Sequence, residues 1–124
     1  MHLQESGEMY LETLYILSMK DEAVRPLDVA TYMGFSKPSV TRGMHILKDN
    51  GYVESDKDGH LHLTEKGLAV ARKTYERHTL LTKYFVHLGV PEDIAAADAC
   101  KIEHDISDVT FEAIKKHAGC KGIK

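Results

Sequence analysis

Pro26-Leu27-Asp28-Val29-Ala30-Thr31-Tyr32-Met33-Gly34-Phe35-Ser36-Lys37-Pro38-Ser39-Val40-Thr41-Arg42-Gly43-Met44-His45-Ile46-Leu47-Lys48-Asp49-Asn50-Gly51 is the stretch that decides the fold. Pro26 suits the first turn of a helix, where a missing N–H costs nothing, and Leu27, Val29, Ala30 and Met33 keep helical spacing up to Gly34, a C-terminal stop. Ser36 can cap a second helix whose first turn tolerates Pro38, with Val40, Met44 and Leu47 as its buried stripe. Asp49-Asn50-Gly51 closes it, because Gly51 can take the left-handed conformation. Two short helices around a tight glycine turn form a helix-turn-helix, in which the second helix enters the major groove.

The segment after Gly51 strengthens that reading. Tyr52-Val53-Glu54 and His60-Leu61-His62-Leu63 read as two strands flanking Asp58-Gly59, a favoured hairpin turn, and this hairpin is the wing. Upstream, Met9, Leu11, Leu14, Tyr15 and Leu17 recur at helical spacing across residues 4 to 19, and the segment Asp21 to Arg25 breaks that helix. Downstream, Thr64 caps a long helix that runs to about Leu88 through Leu68, Ala71, Tyr75, His78, Leu81 and Phe85. Gly89-Val90-Pro91 interrupts, Pro91 starts a helix through His104, and a last helix begins near Ser107 and frays by Gly119. The tail from Gly119 to Lys124, including Cys120, is expected to be mobile. The expected fold is mainly α: a winged helix-turn-helix over residues 1–63, then a long linking helix and further helices over 64–124.

At 124 residues the chain fits one compact domain, or a small DNA-binding module with a helical appendage. So short a chain buries limited apolar surface, which favours a homodimer. No apolar stretch approaches the roughly 18 residues of a membrane span, and Met1-His2-Leu3-Gln4-Glu5 lacks the features of a signal peptide. A cytoplasmic location and no membrane partner are expected. Two cysteines, Cys100 and Cys120, are too few for a disulfide scaffold and remain available as thiols or ligands.

The formal net charge of −3 argues against nucleic-acid binding through the whole surface. Local charge differs, since Ser36 to Lys48 carries Lys37, Arg42 and Lys48 and no carboxylate. This stripe fits site-specific binding to double-stranded DNA, and it also fits an ordinary solvated face.

The chemistry sits in Cys100-Lys101-Ile102-Glu103-His104. Residues three and four apart share a helix face, so the thiolate, carboxylate and imidazole of Cys100, Glu103 and His104 can converge on one ion. Such an ion needs further donors, and Glu8, Met9, Glu12 and His78 are the candidates. A buried thiol at Cys100, a solvated Glu103–His104 pair and a core Met9 are the structural alternatives.

Several runs together resemble the iron- and manganese-dependent repressor family that includes the diphtheria toxin repressor and the manganese transport regulator. They are Glu8-Met9-Tyr10-Leu11-Glu12-Thr13-Leu14-Tyr15, Ser36-Lys37-Pro38-Ser39-Val40-Thr41, Leu63-Thr64-Glu65-Lys66-Gly67, Arg77-His78 and Cys100-Lys101-Ile102-Glu103-His104. The likeness covers roughly residues 4 to 115. It implies a winged helix and a helical dimerisation domain with metal bound where they meet.

By position, the resemblance maps Met9, Cys100, Glu103 and His104 onto the activating metal site of the family's iron-dependent branch. The manganese branch is similar at His78, Glu103 and His104, and Glu12 resembles it too, so the chain combines features of both. Thioether and thiolate donors favour Fe²⁺, Co²⁺, Ni²⁺ or Zn²⁺ over the harder Mn²⁺, which makes Fe²⁺ the expected effector and Mn²⁺ the alternative. The iron branch's ancillary site falls on His78 with Thr82 and Ala96, which departs from the family pattern. His78 is then either a second-site ligand with Glu12 and Glu103 or a packing residue. The chain also resembles the short form without an SH3-like domain.

For DNA, the resemblance maps groove-facing positions onto Ser36, Pro38, Ser39, Thr41 and Arg42, with Lys37 and Lys48 available to phosphates. Arg42 can donate two hydrogen bonds to a guanine edge, or contact a phosphate without reading sequence. The implied function is a metal-dependent repressor binding palindromic operators as a homodimer and controlling metal-homeostasis genes. The other classes are a manganese-responsive repressor of the same family and a metal-independent winged-helix regulator that senses oxidants through Cys100. An enzyme is not expected, nor a small organic substrate, because no His-Glu-x-x-His pattern is present.

Overall fold

The computed structural model describes the backbone of residues 5–20 and 23–123. Met1 to Gln4, Asp21, Glu22 and Lys124, on which some of the expected helix bounds, the break and the tail fall, lie outside the described residues. The element order is α1 (Glu5–Lys20), α2 (Pro26–Met33), α3 (Lys37–Asp49), β1 (Val53–Ser55), β2 (Leu61–Leu63), α4 (Glu65–His87), α5 (Glu92–Ile102) and α6 (Asp108–Cys120). The fold is mainly α, as expected. Two compact units are present, Met1–Arg72 and Lys73–Lys124, and the division falls within α4.

In the first unit the local chemistry follows the residues. Asp28 accepts the backbone N–H of Arg25 at 2.9 Å and so starts α2, and Gly34 closes it in the left-handed conformation at φ 71°. Ser36 caps α3 by accepting the Ser39 N–H at 3.3 Å, with Pro38 inside the first turn. Thr64 serves α4 twice, accepting the Gly67 N–H at 3.2 Å and donating to the Gly51 carbonyl at 2.7 Å. Leu11 and Leu14 of α1, Val29 and Ala30 of α2, Val40, Met44 and Leu47 of α3, and Leu61 of β2 close into one core. Burial of such side chains is worth about 1.5–3 kcal/mol each.

β1 and β2 pair antiparallel in the register Val53–Leu63, Glu54–His62 and Ser55–Leu61. The connection includes the turn expected at Asp58-Gly59. It runs from Asp56 to His60, closed by Asp56 N–H to His60 O at 3.0 Å and Gly59 N–H to Asp56 O at 3.1 Å, with Gly59 at φ 81°. Val24, expected only as part of a break, is buried and accepts the Leu61 N–H at 2.7 Å, which docks the hairpin on the segment before α2.

In the second unit Leu81 of α4, Ala99 of α5 and Phe111 of α6 form the buried centre, with Leu80, Phe85, Ile102, Ile106 and Ile114 packed around it. Two expectations are corrected. α5 stops at Ile102, so Glu103 and His104 belong to a turn rather than to the helix, because Asp105 and Ile106 both donate to the Ile102 carbonyl. The C-terminal segment does not fray at Gly119: α6 includes Cys120, and Ile123 N–H donates to Ala118 O at 2.9 Å, with Gly122 at φ 75°.

Candidate metal centre and nucleic-acid interface

The second unit builds a donor cluster from α4 and the turn after α5. Glu103 keeps helical dihedrals and donates its N–H to Ala99 O at 2.9 Å, so it ends the last turn pointing inward while the chain reverses behind it. The side chain of Glu103 is fully buried. Its Oε2 lies 2.9 Å from His78 Nδ1 and its Oε1 lies 3.2 Å from His104 Nε2. The His104 side chain is buried as well, whereas His78 is one-third exposed, which leaves the cluster one solvent-facing side.

Burial opposes ionisation of Glu103, yet the contacts with His104 and His78 outweigh it and hold the carboxyl below the usual range. A buried carboxylate flanked by two imidazoles is a donor set suited to a divalent cation. The residues of this unit therefore fit a metal ion on the chemistry of their donors.

Sequence reasoning missed the residue that holds this turn. Arg77, buried on α4, donates through Nη1 to the carbonyls of Glu103 at 3.0 Å and Ile106 at 2.7 Å, and through Nη2 to the Asp108 carboxylate. Its guanidinium also lies over the Phe111 ring, 5.3 Å from the centroid. Asp108 meets Lys73 as well, at 2.8 Å. The Arg77-His78 pair was visible in the sequence, but the partners of Arg77 lie 26 to 31 residues away and two of them are backbone atoms.

Of the other predicted ligands, Cys100 is half-buried on α5 and forms no disulfide. Among the described residues its thiol joins no group of three donor atoms mutually within 4.8 Å. Met9 and Glu12 are half-buried on α1 in the first unit. Thr82 turns its hydroxyl onto its own helix, donating to His78 O at 2.7 Å, and Ala96 has no donor, so neither offers an ancillary ligand.

The first unit presents the basic stripe on α3. Val40, Met44 and Leu47 are buried, which turns Lys37, Pro38, Ser39, Thr41, Arg42 and Lys48 outward, and the capping residue Ser36 is exposed too. Lys37, Pro38, Thr41, Arg42 and His45 line one shallow depression. His45 was not singled out from sequence; its position three residues after Arg42 is the signal that could have found it. The exposed helix start carries the positive end of the helix dipole beside Lys37, and both favour a phosphate.

Two family models match successive parts of the chain. A family model described as iron dependent repressor, N-terminal DNA binding domain, matches residues 2–61. One described as iron dependent repressor, metal binding and dimerisation domain, matches residues 64–120. An uncharacterized HTH-type transcriptional regulator of Methanocaldococcus jannaschii is 30% identical over 115 residues, covering 91% of this chain and 92% of that one. The iron-dependent repressor IdeR of Mycobacterium tuberculosis is 34% identical over 109 residues, covering 86% of this chain and 46% of the relative. The structure of the manganese regulator SloR superposes with a TM-score of 0.82 at 32% identity, covering 91% of this chain and 53% of that chain. The chain thus spans about half the length of the last two.

Proposed function

The chain belongs to the iron-dependent repressor family, whose members are metal-dependent, DNA-binding transcriptional regulators rather than enzymes, and on that premise we propose that it is a cytoplasmic, ferrous-iron-dependent repressor acting as a homodimer on palindromic operators of metal-homeostasis genes. The observation that carries the metal part is Glu103, a buried carboxylate with an imidazole at each oxygen. In this reading Met9, Cys100, Glu103 and His104 hold the activating ion, and Glu12 and His78 serve a second one. Residues 1–63 act on DNA, and 64–124 act in metal binding and dimerisation.

When bound, the metal would supply a positive charge to the carboxylate, imidazole, thiolate and thioether donors proposed to hold it. The residues supply the selectivity: Met9 and Cys100 are soft donors that favour Fe²⁺. A ligand shifts a conformational equilibrium only by binding one state better, a preference that the proposed donors would provide. Two recognition helices held at a fixed separation then match two half-sites, with Ser36, Pro38, Ser39, Thr41 and Arg42 toward bases and Lys37 and Lys48 toward phosphates. Exposed Leu88, Ile94 and Val109 support a homodimer, since apolar groups of this size gain from burial. No helix among the described residues is long and apolar enough to cross a membrane, which is compatible with the proposed location.

Manganese has one observation in its favour. The donors brought together in the second unit, His78, Glu103 and His104, are nitrogen and oxygen only, a set that Mn²⁺ accepts. Metal content after anaerobic purification, paired with binding to DNA selected from a random pool and titrated against Fe²⁺ and Mn²⁺, separates the two. Activation by Fe²⁺ at lower free concentration supports the proposal, and preferential activation by Mn²⁺ replaces iron with manganese.

A further inference from the structure

The β1–β2 connection gathers Asp56, Asp58, His60 and His62 in seven residues, well apart in sequence from the ligands proposed for the other centre. One donor atom each from Asp56, Asp58 and His60 lies within 4.8 Å of the others. Asp56 Oδ2 is 3.4 Å from His60 Nδ1 and 3.0 Å from His62 Nε2. Tetrahedral coordination with bonds of about 2.1 Å sets its donors about 3.4 Å apart, so the two separations from Asp56 match a filled site, while His62 lies outside the group of three and would turn its ring inward to complete it.

The backbone prepares the cluster. Asp56 Oδ1 accepts the N–H groups of Asp58 at 2.9 Å and His60 at 3.0 Å, which fixes the carboxylate and turns Oδ2 toward the imidazoles. Gly59, at φ 81°, reverses the chain so that Asp58 returns beside His60. His60 and His62 are two apart in an extended segment and therefore share one side. The turn is closed by the backbone bonds between Asp56, Gly59 and His60 and by Asp56 Oδ1, none of which uses the imidazoles at Oδ2 or the Asp58 carboxylate. His60 and His62 are both partly exposed, at 23% and 44%, so an ion reaches them without the hairpin opening.

We propose that this hairpin holds a divalent metal ion of its own, of the borderline zinc or nickel class, through Asp56, Asp58, His60 and His62. Two carboxylates and two imidazoles complete four-coordination and suit such ions better than calcium or magnesium, which take oxygen donors. Two anionic side chains of the hairpin that follows the recognition helix are thereby neutralised, which lowers repulsion toward a phosphate backbone.

The test uses the full chain with Zn²⁺ alone as the probe, counting bound zinc by equilibrium dialysis and following histidine ring resonances by NMR. Three proteins are compared: wild type, H60Q/H62Q, and C100A/H104A, which disables the other proposed centre. All retain Asp56, and hence the bonds that close the turn. The expected result is one zinc fewer in H60Q/H62Q than in wild type, and zinc-dependent shifts of the His60 and His62 rings that persist in C100A/H104A. Single H60Q or H62Q weakens the hairpin ion at least about tenfold. Equal stoichiometry in wild type and H60Q/H62Q, or His60 and His62 rings unmoved at saturating zinc, overturns the proposal.

Discussion

Arg77 donates to the main-chain carbonyl of Glu103 at 3.0 Å, so the residue whose carboxylate faces His78 and His104 is held from behind by a guanidinium on α4. Arg77 is a positioning residue: it touches the backbone of the turn and none of the donor atoms. Lysine cannot reproduce its fork, which spans two carbonyls and a carboxylate. Arg77→Lys is expected to weaken metal binding about 10–100-fold, as loss of supporting partners does. Isothermal titration with Mn²⁺ checks it, with circular dichroism as the folding control. Affinity equal to wild type contradicts the role.

Asp108 gives the pH dependence. Its hydrogen bond and charge contact with Lys73, followed by the charge of Arg77, hold the carboxyl below its ordinary value of 3.8. A lowered folded-state value stabilises the protein above the unfolded value, and that contribution is lost as pH falls from about 3.8 through the folded value. Metal-free Asp108→Asn should therefore show a lower Tm than wild type at pH 6, with the difference shrinking below pH 4. A constant difference across that range contradicts the assignment.

Gly67 is fixed by space. A Cβ there would stand 2.0 Å from the Tyr52 carbonyl oxygen and 3.2 Å from Leu63 Cδ2, whereas one at Gly119, in α6, would meet nothing within 4 Å. Gly67→Ala is expected to cost about 1–3 kcal/mol through forced backbone displacement. Gly119→Ala should be neutral or stabilising by about 0.5–1 kcal/mol. Urea denaturation of both variants decides, and a reversed order contradicts the packing around Tyr52.

Much of the fold was legible in the sequence, and the exceptions share a cause. Pro26, Gly34, Ser36, Pro38 and Gly51 act within a few residues of themselves, so α2 and α3 could be read locally. The end of α5 could not, because Ile102-Glu103-His104 has good helix periodicity and the chain reverses where Arg77 draws in the carbonyls of Glu103 and Ile106. Val24 looked like part of a loop because its partner, Leu61, comes 37 residues later. Of the candidate ligands, Glu103 and His104 owe their visibility to adjacency in sequence, whereas the pairing of His78 with Glu103 depends on packing across 25 residues.

Arg42 is exposed on α3, and bidentate contact with a guanine edge is its expected use. Arg42→Ala should remove about 1–3 kcal/mol of discrimination at one operator position while leaving the other positions unchanged. Uniform weakening across sequences, with a salt slope lower by about 1, would instead mark a phosphate contact.

The central claim is that metal held through Cys100, Glu103 and His104 switches on DNA binding. Its most direct test is anaerobic DNA binding titrated with Fe²⁺ for wild type, Cys100→Ala and His104→Ala, all verified as folded. Binding should rise with Fe²⁺ in wild type and stay at the metal-free level in both variants. Metal-stimulated binding that persists unchanged in both would contradict the account.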